Sequence, residues 1–201
     1  MYIPLQYQNT HLDEVKEFLR KNAFAILTSQ VDSRPWATHL PLELESSSDG
    51  KDVLTGHMAR RNPQWRHFKE EEQVLAIFNG PHAYISSSWY HDEEVPTWNY
   101  VAVHIYGTLR MLTEEEVMAS LHRLVDKYEA HSEYPISLKD MSEETLRQVR
   151  GVVGFQIAIE DVHAAYKLSQ GREQDHTRIM QELQQRDQPG DAEIVRHMRK
   201  E

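Results

Sequence analysis

The stretch WATHLPLEL, residues 36–44, predicts an extended strand, because apolar and polar residues alternate along it. Successive side chains of a strand point to opposite faces, so one face would be buried and the other would present polar groups. The apolar face carries Leu40, Leu42 and Leu44, and the other face carries His39, Pro41 and Glu43. Proline has no backbone N–H to donate, so Pro41 predicts a sheet edge or a bulge at this point.

Short apolar runs of the same kind lie on both sides of this stretch, and turn residues separate them. Such a series is typical of an antiparallel meander or a small barrel. The remaining predicted strands are residues 24–28, 53–57, 74–78, 83–86, 97–111, 153–159 and 162–168.

Helical patterns lie outside these strands. Thr10 is expected to cap a helix that runs to about Lys21, and Ser142 a shorter helix to about Arg150. Thr113 and the three glutamates after it form a capping box that opens another helix. A charged helical segment begins near Gln174. The fold class that follows is α+β, a mostly antiparallel barrel with peripheral helices.

Composition limits the size and the chemistry of the chain. A length of 201 residues suits one domain with a substantial core. The absence of cysteine excludes a disulfide framework, a thiolate metal site and a cysteine nucleophile. The formal net charge of -10 repels DNA over most of the surface, so contact with nucleic acid needs a local basic patch.

The beginning of the chain, Met1-Tyr2-Ile3-Pro4-Leu5, has no basic segment followed by an apolar one, and no later window is apolar enough to span a bilayer. A cytoplasmic protein without membrane contact is therefore expected. The 12 histidines include no HExxH pattern, so no metal site is predicted. No GxSxG elbow, GxGxxG loop or P-loop occurs, and no catalytic residue can be assigned.

The segment GHMARRNPQW, residues 56–65, is the strongest candidate for an anion site. It ends a predicted strand, supplies Arg60 and Arg61, and then opens a helix at Asn62, a good N-cap that precedes a proline. Two guanidinium groups beside a helix start, with His57 nearby, suit a phosphate monoester. The alternative is that both arginines are solvated surface charges and His57 is an ordinary strand-end residue.

Residues 80–100 are rich in aromatic side chains. Trp89, Tyr90, Trp98 and Tyr100 lie close to two prolines and several hydroxyl groups. Such a cluster can frame a flat heterocycle. The alternative is that these rings only close the mouth of the barrel.

Six long strings in the sequence have unusual patterns: MYIPLQY (1–7), HLPLEL (39–44), GHMARRNPQW (56–65), IFNGPHAYISSSWY (77–90), VPTWNYVAVHIYGTLR (95–110) and KLSQGREQDHTRI (167–179). Together they resemble the PaiB family of FMN-binding negative transcriptional regulators. The resemblance runs from Met1 to about Leu183, and two departures from the family pattern are Gly171 after KLSQ and Ser87 or Ser88 in place of a proline.

The resemblance implies a split β-barrel of the pyridoxamine-phosphate-oxidase and flavin-reductase type. It implies a single FMN-binding domain over residues 1–201, with a helical C-terminal extension from about residue 172, and a homodimer that holds FMN between its subunits. The residues expected to hold the phosphate are His57, Arg60, Arg61 and Asn62. The residues expected along or near the flavin ring are Thr38, His39, Leu40, Pro41, Trp98, Asn99 and Tyr100. A third group of expected cofactor or substrate contacts is Lys167, Ser169 and Gln170.

The family name implies repression of sporulation and degradative-enzyme (protease) genes. No helix-turn-helix pattern or basic recognition helix stands out, so a regulatory protein partner stands beside DNA as a candidate. One alternative function is an FMN-dependent oxidoreductase that uses NAD(P)H or a small substrate. Another is a haem-binding or haem-degrading protein, for which the available axial ligands are His39, His57, His82 and His104.

Overall fold

Six strands and five α-helices make up the computed structural model, which describes residues 1–47, 49–69 and 72–199. The strands are β1 (Phe24–Val31), β2 (Arg34–Ser46), β3 (Asp52–Ala59), β4 (Gln73–Ile85), β5 (Thr97–Met111) and β6 (Val152–Lys167). The helices are α1 (Leu12–Lys21), α2 (Glu114–Glu129), α3 (Glu143–Leu146), α4 (Glu173–Arg186) and α5 (Asp191–Met198). Short 3-10 helices span Leu5–Tyr7, Pro63–His67, Ser87–Trp89, Leu138–Asp140 and Arg147–Gly151.

The strands form one closed hydrogen-bonded ring in the order β1-β2-β3-β6-β5-β4. The pairs β1–β2, β1–β4, β2–β3 and β3–β6 are antiparallel. The predicted fold class, α+β with a mostly antiparallel barrel and peripheral helices, is confirmed. Among the described residues, no helix combines the length and the apolar character that crossing a bilayer requires.

The described residues cluster into two compact units. The first unit contains residues 1–18, 78–104 and those from 163 onward, and fully buried side chains of its core include Ile85, Ile179 and Leu183. The second unit contains residues 19–77 and 105–162. Its core includes Phe155 and Leu27, both with no exposed surface. The single domain over residues 1–201 with an extension from about residue 172 stays a prediction, and residues 200 and 201 lie outside the described chain.

The hairpin between β1 and β2 explains why both strands are longer than the sequence predicts. Asp32 and Ser33 connect the strands, and both have left-handed backbone angles, with φ of 51° and 62°. A two-residue turn of this conformation matches the twist of a hairpin, so pairing starts at Val31 and Arg34. Asp-Ser is not one of the usual sequences for such a turn.

Pro41 does not mark an edge strand, because β2 lies between β1 and β3 in the sheet. Residues 34–41 pair with β1, and residues 42–46 pair with β3. Pro41 is thus the residue at which the partner changes, where a missing N–H costs least. The prediction of a sheet edge at Pro41 was therefore wrong.

Two other predictions need correction. The runs 74–78 and 83–86 belong to one strand, β4, which continues through Gly80 and Pro81. Asn9 and not Thr10 accepts the N–H of His11 at the start of α1, over 2.8 Å. The other caps are confirmed, because Thr113 forms its capping box and the Ser142 hydroxyl accepts the N–H of Thr145. The segment after Ser142 divides into α3 and a 3-10 helix.

Candidate functional site

Arg60, in the second unit, is fixed by backbone groups of the segment before β6. Its Nε donates to the carbonyl oxygen of Arg150 over 2.9 Å, and its Nη2 donates to that of Val152 over 3.1 Å. Its own amide donates to the carbonyl of Gly151 over 2.8 Å. A guanidinium has five N–H donors, and two are used here, so three remain for an anion.

Arg61 is in a different situation from its neighbour. Its side chain is exposed and forms no hydrogen bond or ion pair with any residue in the described part of the chain. The two adjacent guanidinium groups therefore have different roles: Arg60 is anchored to the protein, and Arg61 is available to a ligand.

Asn62 caps the helix as predicted, although the helix is a 3-10 helix. Its Oδ1 accepts the N–H of Gln64 over 3.0 Å, so that amide is already used. Its Nδ2 donates to the Thr38 hydroxyl over 2.8 Å, and that hydroxyl donates to Oε1 of Gln64 over 2.5 Å. The turn that follows β3 is thereby tied to β2.

Gln64 is the residue of this site that sequence analysis missed. It has no exposed surface, and its Nε2 donates to the carbonyl of Leu27 over 3.2 Å and to the Ser29 hydroxyl over 3.0 Å. Both partners lie on β1, more than 30 residues earlier in the chain. A glutamine between a proline and a tryptophan carries no sequence signal of burial, so only the fold could identify it.

The predicted residues of β2 do not share one environment. Thr38 belongs to the hydrogen-bonded network of the turn, and the Leu40 side chain is buried in the core. His39 is exposed, with its ring centre 6.3 Å from that of Phe24, whose side chain is 67% exposed. These two side chains form an exposed aromatic patch on β1 and β2.

Pro41 and His57 line the same small cavity, of about 260 Å³. Burial lowers the pKa of His57, so its imidazole is neutral at pH 7 and does not add a positive charge to an anion site. Glu43 and Glu45 also line this cavity, and each is paired with a basic residue of α2, Lys127 and Arg123 respectively. Arg20 also lines the cavity, so three basic side chains stand against two acidic ones.

A larger cavity, of about 670 Å³, is lined by Arg60 and by residues of β5, α2, β6 and the segment before β6. Arg61 does not line either cavity. The predicted pair of arginines therefore shares neither of these two cavities.

The remaining predicted residues lie in the first unit. Asn99 and Ser169 are buried and bonded to each other: Nδ2 of Asn99 donates to the serine hydroxyl over 2.9 Å, and that hydroxyl lies 3.2 Å from Oδ1 of Asn99. Gln170 accepts the N–H of Leu168 and donates to the carbonyl of Tyr166. These bonds fix the shape of the loop after β6.

Lys167 donates to the Thr97 hydroxyl, and its Nζ lies 5.7 Å from the centre of the Tyr7 ring. Trp98 is 52% exposed, and its ring centre lies 5.7 Å from that of Tyr84 and 5.9 Å from that of His82. Tyr100 is half-buried.

The four aromatic residues predicted as one cluster have different surroundings. Arg172 covers the ring of Tyr90 at 4.3 Å, and Arg186 covers that of Trp89 at 5.2 Å. These two rings pack against the protein's own cations, whereas Trp98 presents its ring to solvent. Trp98 is thus the most accessible member of the cluster.

Comparison with solved structures finds proteins of similar fold. The chain is similar to the FAD and haem binding protein from Mycobacterium smegmatis, with a TM-score of 0.62 and 14% identity over 80% of this chain and 73% of that one. It is also similar to the flavocytochrome Anf3 from Azotobacter vinelandii, with a TM-score of 0.61 and 14% identity over 85% of this chain and 75% of the other. At this identity the likeness concerns the fold, a split barrel of the kind that the resemblance implied.

Sequence comparison then gives the family. The family described as "Putative FMN-binding domain" matches residues 1–161. The "Protease synthase and sporulation protein PAI 2" of Bacillus subtilis is 43% identical over 200 residues, which cover 98% of this chain and 96% of that protein. The chain belongs to this FMN-binding family, so the PaiB resemblance is confirmed and FMN is confirmed as the cofactor at the level of the family.

Proposed function

We propose that this protein is a homodimeric FMN-binding regulator in which Arg61 holds the cofactor phosphate. The observation that carries the proposal is the accessible guanidinium of Arg61 at the end of a turn that is fixed on both sides. Arg60 anchors the turn to the segment before β6, and Asn62 anchors it to β2. Because the backbone of the turn is already ordered, only the side chain of Arg61 loses conformational freedom when it binds an anion.

The donor set suits a phosphate monoester. Arg61 offers all five of its N–H groups, and Arg60 offers the three that its carbonyl contacts leave. His57 contributes as a neutral imidazole, because burial lowers its pKa. Of the four residues predicted for the phosphate, we therefore rank Arg61 first, and Asn62 as the residue that positions the turn.

For the flavin ring, we propose contacts from the exposed or half-exposed side chains of the predicted groups. In the second unit these are Thr38, His39 and Pro41, with Leu40 acting through its backbone because its side chain is buried. In the first unit they are Trp98 and Tyr100. Asn99 and Ser169 support the loop after β6 by bonding to each other, Lys167 by bonding to Thr97, and Gln170 by bonding to the backbone of Leu168 and Tyr166.

For the homodimer, we propose that a second copy of the chain packs on the exposed aromatic patch of Phe24 and His39. Phe24 is 67% exposed, so this contact would remove apolar surface from water. In such a dimer, the second copy would also face the half-buried side chain of Thr38.

The regulatory role rests on the relative named for protease synthesis and sporulation, and we extend that role to this chain in the cytoplasm. The net charge of -10 favours an effect through a protein partner over direct binding to an operator. When bound, FMN supplies one-electron and two-electron redox chemistry, so occupancy or redox state can be the signal.

Titration of the apoprotein with FMN tests the cofactor site. Arg61→Ala is expected to weaken FMN binding by about 1.5–3 kcal/mol, because a charge-assisted contact is lost. Arg196→Ala, which removes an exposed arginine of α5, is the matched control and should bind FMN as the wild type does. Unchanged affinity in Arg61→Ala would move the phosphate elsewhere.

Two further measurements separate the possible roles. Pull-down and gel-shift experiments with and without FMN test the regulator, and the absence of any partner in both states would count against it. Anaerobic addition of NADH or NADPH tests the oxidoreductase alternative, which bleaching of the flavin spectrum would favour.

A further inference from the structure

The cavity of about 670 Å³ in the second unit has an apolar wall. Its volume falls within the range of about 300–1,000 Å³ that is usual for small-molecule sites. The wall is formed by side chains of the β5 end, α2, the 143–151 segment and the β6 start. The apolar residues that matter here are Leu112, Val117, Met118, Leu146, Val149 and Val153.

The floor of the cavity is built by close packing. A Cβ added at Gly154 would lie 2.6 Å from Cγ2 of Val117 and 3.2 Å from Cδ1 of Leu112, so only glycine lets α2 approach β6 this closely. The capping box at Thr113 fixes the start of the same helix. The side of the cavity formed by α2 and β6 is therefore built from fixed elements.

The charges around the cavity are unequal. The cavity is lined by three arginines, Arg60, Arg147 and Arg150, and by two carboxylates, Glu114 and Glu143. Its lining therefore has an excess of one positive charge, although the whole chain has a formal net charge of -10. The side chains of Arg147 and Arg150 are exposed and have no hydrogen-bond or ion-pair partner within the described part of the chain. Free guanidinium groups beside an apolar wall suit a ligand that has a hydrocarbon part and one negative charge.

We propose that this cavity binds an amphipathic monoanion, a small carboxylate with an aliphatic or aromatic body. The hydrocarbon part lies against Val117, Met118 and Val149, and the carboxylate contacts Arg147 and Arg150. The contacts proposed for the carboxylate do not include Arg61, the residue ranked first for the flavin phosphate, although Arg60 borders this cavity too.

Calorimetric titration of the full-length protein with octanoate tests the proposal, with 1-octanol as the neutral ligand of equal chain length. Octanoate is expected to bind more tightly than 1-octanol, and to bind both in the absence of FMN and at saturating FMN. Arg147→Gln/Arg150→Gln should weaken octanoate binding by about tenfold and leave 1-octanol binding unchanged, because exposed charge pairs contribute up to about 1 kcal/mol each. The matched control is Arg178→Gln/Arg196→Gln, two exposed arginines of the first unit.

A second variant acts in the opposite direction. Glu143→Gln removes an exposed carboxylate from the cavity rim and should strengthen octanoate binding, because less negative charge opposes the ligand. Equal affinity for octanoate and 1-octanol, undiminished binding to the double arginine variant, or competition between octanoate and FMN would each overturn the proposal. So would the absence of octanoate binding to the wild type.

Discussion

Replacement of Gln64 by leucine should destabilise the second unit strongly although it leaves an apolar side chain of similar size in the core. Gln64 makes three side-chain hydrogen bonds, to the carbonyl of Leu27, to the hydroxyl of Ser29 and from the hydroxyl of Thr38. Each neutral bond contributes about 0.5–1.5 kcal/mol, and a buried carbonyl left without a donor costs about 1–3 kcal/mol. The expected decrease in the free energy of unfolding is therefore about 2–4 kcal/mol.

Urea denaturation of Gln64→Leu, followed by tryptophan fluorescence, measures this decrease. Gln185→Leu is the matched control, because Gln185 is exposed on α4 and its replacement should change the free energy of unfolding by less than about 0.5 kcal/mol. Gln64→Glu should be at least as harmful as Gln64→Leu, because a carboxylate oxygen would face the Leu27 carbonyl. A free energy of unfolding for Gln64→Leu equal to that of the control would refute this account of the turn.

Three further predictions concern single positions. Burial alone would raise the pKa of Asp191, but hydrogen bonds from Arg186 and from a backbone N–H hold this pKa below its usual value. The ionised carboxylate therefore stabilises the folded state above about pH 4, and this contribution is lost as pH falls further. Asp191→Asn should lower the melting temperature at pH 7 and have little effect near pH 2. Gly190→Ala should lower the free energy of unfolding by more than about 1 kcal/mol, because φ is 92° and a Cβ would lie 2.7 Å from the His82 carbonyl oxygen. An unchanged free energy of unfolding in denaturation experiments would contradict this conformation. Arg60→Ala should lower the free energy of unfolding by about 0.5–1.5 kcal/mol, because it removes two exposed hydrogen bonds to carbonyls of the segment before β6. Unchanged stability would show that these contacts are dispensable.

Features that depend on neighbouring residues could be predicted from the sequence. The caps at Asn62, Thr113 and Ser142 follow from a side chain that reaches two or three residues forward, and all three are present. Alternation of apolar residues was enough to identify the strands. The turn at Asp32 and Ser33 was missed because both residues adopt a left-handed conformation that their identity only weakly indicates.

Features that depend on distant residues could not be predicted. The contacts of Arg60 join it to residues about 90 positions later, and those of Gln64 join it to β1. From the sequence, Arg60 and Arg61 look equivalent, and only the position of the segment before β6 distinguishes the anchored side chain from the free one. In the same way, Asn99 and Ser169 were predicted as contacts from their motifs, and their mutual bond appears only in the fold.

The anchored guanidinium of Arg60 has a consequence for thermodynamic linkage. The same side chain borders the apolar cavity and holds the turn that presents Arg61. A ligand that drew this guanidinium away from the two carbonyls would loosen the turn, and one that left it in place would stiffen it. Because linkage is reciprocal, occupancy at either location would then change affinity at the other by the same factor, in a chain with no cysteine to serve as a redox switch of its own.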